Sequence, residues 1–187
     1  MKTKISIKKI TLIIALIAIA VSWRIINHNY MIAPNFELVT VATVIAAITL
    51  GYKAAIAVPL TSMVISDLII GNTSIFIFTW GAFLIIGMGA ILLAKLNKKS
   101  KTQVLCSVGF AILSSFFFFA LTNFGVWAQG WYPATWNGLA ECFTLAIPFY
   151  RTMLIGNIIM IPAAVAAYQF VKNRQAAKSL VINPLVG

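Results

Sequence analysis

Acidic residues are the scarcest resource of this 187-residue chain: Glu37, Asp67 and Glu141 are all it has. Chemistry that depends on paired carboxylates therefore has almost nothing to draw on. Histidine occurs once, at His28, and cysteine twice, at Cys106 and Cys142, in different apolar runs and without C-x-x-C spacing. Neither a clustered metal centre nor a disulfide framework is indicated. No glycine-rich loop ending in Lys-Ser/Thr is present; the nearest approach, Gly87-Met88-Gly89, lies inside an apolar run, so the chain is not expected to hydrolyse ATP by itself. A nucleophile elbow and a His-Glu-x-x-His helix are missing too. Neither enzymatic activity nor a cofactor is expected.

Hydrocarbon is what the chain does have. With 61% hydrophobic and 9% charged residues and a mean hydropathy of +0.99, it reads as a single integral membrane domain over residues 1–187. The formal charge of +11 would point to nucleic acid in a soluble chain, but the basic residues sit at the ends of apolar segments. Six spans are predicted, at 10–26, 36–51, 54–70, 75–94, 104–121 and 149–171, giving an all-α six-transmembrane-helix bundle. The second is short for a span and is read as partly re-entrant; Pro59 is expected to kink the third. Lys8-Lys9 followed by an apolar run and Ala18-Ile19-Ala20 imitates a secretory signal, yet the run continues to Ile26, so a retained first helix is expected. Six crossings gather Lys2, Lys4, Lys8, Lys9, Lys53, Lys95, Lys98, Lys99, Lys101, Lys172, Arg174 and Lys178 on one side. By the positive-inside rule that side is the cytoplasm, with both termini there and the protein multi-pass in the cell inner membrane. Arg24 and Arg151 fall in the outer half with all three acids.

The stretch from Leu121 to Asn157, with its aromatic segment at 122–148, concentrates polar and aromatic side chains. Asn123, Trp127, Trp131, Tyr132, Trp136, Asn137, Glu141, Arg151 and Asn157 arrive together there. Tryptophans alone make an interfacial belt, whereas charges near lipid are costly unless they face protein or a water-filled cavity. These residues, with Asp67 and Trp80 from earlier spans, are therefore the candidate substrate-binding set. Asp67 or Glu141 is expected to pair with Arg151, either lining a cavity or clamping helices. Asn123, just before Gly125, reads as shaping a helix end.

The motifs Thr-Asn-Phe-Gly-Val-Trp (122–127), Tyr-Pro-x-Thr-x-x-Gly-Leu (132–139), Pro-Phe-Tyr-Arg-Thr (148–152) and Leu-Ile-Gly-Asn (154–157) resemble those of a largely uncharacterised family of small bacterial membrane proteins. Ala-Pro-Asn-Phe-x-x-Val-Thr (33–40) and Val-Pro-Leu…Ser-Asp-Leu-Ile-Ile-Gly (58–71) fit the same family. It is similar to the S-components, the substrate-binding subunits, of energy-coupling factor (ECF) vitamin transporters. The resemblance implies capture of a vitamin-like small molecule from outside, with a coupling membrane protein and two ATPases as separate partner chains. The Ala-x-x-x-Ala coupling face of many S-components is not matched: Ala15 is followed four residues later by Ile19, leaving Ala18-x-x-x-Ser22. Two other readings stay open. A non-transport scaffold would have a dry, packed interior, and a solitary cobalamin-type transporter would need Cys142 or His28 as its cobalt ligand.

Overall fold

The computed structural model describes residues 6–96 and 100–182. Its elements there are six helices: α1 (Ile7–Tyr30), α2 (Val39–Leu50), α3 (Tyr52–Ile70), α4 (Phe76–Leu96), α5 (Ser100–Ala128) and α6 (Trp136–Ile182). All except α2 are long and apolar enough to cross a membrane. The 12 residues of α2 reach about 18 Å at about 1.5 Å per residue, well short of the roughly 30 Å hydrocarbon core. The segment expected as a second full span is thus a short helix with a non-helical lead-in, residues 31–38.

Side-chain pairs set the direction of each helix. Arg24 near the end of α1 meets Ser66 and Asp67 near the end of α3, so these two run parallel, and α2 with its lead-in returns between them. Trp80 meets Asp67 while Gly87 meets Ala55, which makes α4 antiparallel to α3. Phe119–Tyr150, Ser115–Asn157 and Gln103–Gln169 follow one another down the antiparallel pair α5 and α6. Lys8, Lys9, Lys53, Lys95, Lys101, Lys172 and Arg174 consequently share one end of the bundle, and Arg24 and Asp67 lie toward the other. Lys2, Lys4, Lys98 and Lys99 are outside the described residues.

The short helix is the hub. It packs against α1, α3, α4 and α6, and its buried residues, Val39, Thr40, Ala42, Thr43, Val44, Ala46 and Ala47, are all small. Small side chains let backbones approach closely, which is where membrane helices gain most of their attraction. Thr43 donates its hydroxyl to the Val39 carbonyl at 2.7 Å, so its polar group is satisfied within the helix. Gly51 alone joins α2 to α3, at φ 90°, a conformation that glycine adopts without steric cost.

The hairpin of α5 and α6 departs most from expectation. The predicted aromatic segment 122–148 is not an excursion outside the helices. Helix α5 continues through Asn123 and Trp127 to Ala128, and α6 starts at Trp136. Asn123 is helical, not at a helix end, and its amide donates to the Phe119 carbonyl at 2.7 Å. Pro148 and Pro162 both sit inside α6, whose 47 residues make a helix about 70 Å long. Each proline removes one helical hydrogen bond, a loss that packing against a neighbouring helix tolerates.

Candidate functional site

The lead-in to α2 is tied to α1 at Ala33 and Phe36. Asn27 of α1 accepts the Ala33 N–H at 2.9 Å and donates to the carbonyls of Ala33 (2.7 Å) and Phe36 (3.1 Å). The Trp23 indole donates to the same Phe36 carbonyl at 2.8 Å, and the two rings meet edge to face at 5.3 Å. On its other side the Phe36 ring lies over Gly156 of α6, so close that a Cβ there would come within 2.6 Å of it. Backbone without helical hydrogen bonds is tolerated among membrane helices only where it is buried in protein or lines a cavity. Segment 31–38 lines a cavity: Met31, Ile32, Pro34 and Asn35 are exposed, and Ala33, Phe36, Glu37 and Leu38 are half-buried.

Beside this strap the bundle is hollow. One compartment of about 300 Å³ is lined by Arg24, Asn27, His28, segment 31–38, Phe83, Phe118, Phe149 and Met153, among others. A second, of about 280 Å³, is lined by Thr79, Phe119, Thr122, Asn123 and Tyr150. Arg24, Asn35, Phe118, Phe149 and Met153 belong to both, so the two adjoin. Aromatic rings form the walls, and a few polar groups converge on them, the usual make-up of a small-molecule site.

Arg24 is the side chain the two compartments have in common that carries charge. Its Nε donates to Ser66 Oγ at 2.8 Å and its Nη2 to Asp67 Oδ1 at 2.5 Å. Asp67 Oδ2 accepts from the Trp80 indole (2.7 Å) and from the Asn72 amide (2.8 Å). Both carboxylate oxygens are thereby engaged, by three donors in all, which is how a buried ion pair offsets its loss of water. One edge of the guanidinium is committed to α3, and no hydrogen bond engages Nη1 among the described residues.

This pairing corrects the expected one. Asp67 is held by Arg24, and Arg24–Asp67 is the ion pair of the described residues. Glu141 and Arg151 are both exposed and unpaired with each other. The helical register of α6 explains the difference: Tyr150 and Met153 turn toward the cavity, and Arg151 falls on the outside of the helix. Arg151→Ala is accordingly expected to change stability by no more than about 0.5 kcal/mol, read as an unmoved thermal midpoint.

The remaining candidates divide. Asp67 and Trp80 are brought together, and Asn123 lines the second compartment. Asn157 is buried and donates to Ser115 Oγ at 3.0 Å, tying α6 to α5. Trp127 donates to the Pro133 carbonyl at 3.0 Å, closing the short 129–135 turn. Trp131 and Trp136 are 57% and 84% exposed, as an interfacial belt would be. Tyr132 is half-buried and Asn137 exposed, and neither lines a compartment. Cys142 directs its thiol to the Asn123 carbonyl at 3.4 Å and lines neither compartment, so it shares no site with His28.

Among the cavity residues that escaped the sequence reading are Arg24, Tyr150 and Glu37. Arg24 carries the same signal as Arg151, a guanidinium at the end of an apolar run. Glu37 sits outside the five spanning helices. Its Oε2 accepts the Thr40 N–H at 2.8 Å and so caps the start of α2. Its Oε1 is buried without a partner, as is Thr40 Oγ1. Burial pushes the Glu37 carboxyl above its ordinary range, more than Thr40 and Asn157 draw it down.

Comparison with curated proteins finds no match, and comparison with solved structures finds none either. A family model described as "Family of unknown function (DUF6580)" matches residues 4–180, nearly the whole sequence, and the chain therefore belongs to that family.

Proposed function

We propose that this protein captures a small vitamin-like molecule in the cavity beside segment 31–38 and serves as the substrate-binding membrane subunit of an ECF-type transporter. The observation that carries this reading is the use of non-helical backbone where a full-length second helix would fill the bundle. A scaffold has no need of such a hollow, and the strap's many hydrogen bonds serve to maintain it. The sequence resemblance points the same way. With the lysine-rich end in the cytoplasm, both termini lie inside and the cavity faces outward, toward an arriving solute. Energy then comes from a coupling membrane protein and ATPases in separate chains. The unengaged Nη1 of Arg24, the Asn123 amide and the Tyr150 hydroxyl offer hydrogen bonds, while Phe118 and Phe149 offer stacking faces.

A thermal-shift panel of vitamins and their precursors on the detergent-purified protein tests the proposal. A ligand at about 100 times its Kd stabilises the native state by about 2.7 kcal/mol. The expected result is one compound that raises the midpoint of the wild type and of Arg151→Ala but not of Asn123→Leu. A flat panel with well-folded protein would sink the capture reading in favour of a scaffold.

A further inference from the structure

Segment 31–38 forms a wall of the cavity, and one of the groups that hold its inner end is a carboxyl with an incomplete set of partners. Glu37 Oε2 is satisfied by the α2 backbone, but Oε1 and Thr40 Oγ1, three residues apart on one turn, are each buried and alone. Among the described residues no cation pairs with the carboxylate. Arg24 and His28 are the charged or titratable groups that line this compartment with it, and Arg24 is taken by Asp67. The other helices present Ile70, Phe83, Phe118 and Met153, and the uncharged Asn157 amide of α6 acts on the carboxyl. An ionised carboxylate held here lacks a counter-charge and a partner for Oε1, and the neutral acid avoids the cost of burying that unpaired charge.

We propose that Glu37 is a proton-binding site that latches segment 31–38 against the cavity, holding the wall closed when neutral and releasing it when ionised. The capture reading supplies only the purpose of the latch; the motion itself is measurable without a ligand. Because burial raises the carboxyl in the closed form, protonation favours closure. That contribution is complete below the ordinary glutamate range and is lost as pH rises through the raised value. Release needs no helix to unfold: Met31 and Asn35, with φ of 50° and 62°, bound a stretch that is already non-helical.

Hydrogen–deuterium exchange on the full-length protein in lipid nanodiscs, between about pH 5.5 and pH 8.5 and corrected for intrinsic exchange rates, tests the latch. Opening of segment 31–38 is expected to increase with pH, by up to about tenfold per unit between the ordinary glutamate range and the raised value, and to level off above it, while α2 stays protected. Glu37→Gln is expected to remain closed and flat across the range. Asn157 favours the ionised form, so Asn157→Leu is expected to move the transition to higher pH, and it decides the matter should Glu37→Gln not fold. Flat exchange in the wild type, an unmoved transition in Asn157→Leu, or a Glu37→Gln segment open at every pH would each overturn the latch. The ligand panel is a separate arm: pH-dependent opening with no ligand found removes the capture reading and keeps the latch, and a ligand found with flat exchange does the reverse.

Discussion

Replacing Asp67 with alanine should lower stability by about 3–5 kcal/mol, the usual consequence of stranding one member of a buried ion pair. At about 2–4 °C per kcal/mol for a chain of this size, the thermal midpoint falls by roughly 10 °C. The physical basis is local. The Asp67 side chain is 5% exposed and that of Arg24 28%, and removing the carboxylate also orphans the Trp80 indole and the Asn72 amide. Arg24→Met with Asp67→Leu should be less harmful than Asp67→Ala alone, because nothing charged is left without a partner. The same double substitution should abolish ligand stabilisation, since Arg24 is the cation common to both compartments. If the double variant were no more stable than Asp67→Ala, the pair would not be the source of the loss.

Gly87→Val should be strongly damaging although it lies away from the cavity. Pro59 has no N–H for the carbonyl one turn back, that of Ala55, and α4 passes that carbonyl at Gly87. A Cβ on Gly87 would come within 2.6 Å of the Ala55 oxygen and 3.2 Å of Ile56 Cδ1. Backbone cannot move aside as a flexible side chain can, so the two helices must separate. Overpacking of this kind costs about 1–3 kcal/mol, and helix separation should also disturb the Trp80–Asp67 contact farther along the same interface. Unfolding in denaturing detergent, followed by the signal of Trp80, reads both effects; an unchanged midpoint would show that α3 and α4 do not depend on this close approach. Gly81, with open space around it, is the matched control, and Gly81→Ala should be neutral.

Much of the architecture was legible before any coordinates, because the membrane imposes it. Apolar runs of about twenty residues, basic residues at their ends and tryptophans near the opposite rim are properties of local sequence, and α1, α3, α4, the body of α5 and the later part of α6 follow from them. Asp67 and Trp80 drew notice for the same reason, that a carboxylate or an indole near lipid needs a partner, and they are each other's partners, although neither lines the two compartments. The length of α5 and α6 was less legible. Pro148 and the aromatic cluster imitate a helix boundary, yet a proline costs one hydrogen bond, and the opposing helix makes continuation tolerable.

Partner choice and the hollow belong to the tertiary structure alone. Arg24 and Arg151 carry the same sequence signal, and a rotation of about 100° per residue along α6 separates a side chain on the cavity from one on the outside. Only the parallel run of α1 and α3 brings Arg24 to Asp67 across 43 positions of sequence. The cavity likewise depends on where segment 31–38 is held, which Asn27, Trp23 and the bare surface of Gly156 settle together. Hydropathy reports how gladly a residue leaves water. Which neighbour it meets afterwards is decided by helix register and packing, and those exist only once the helices have come together.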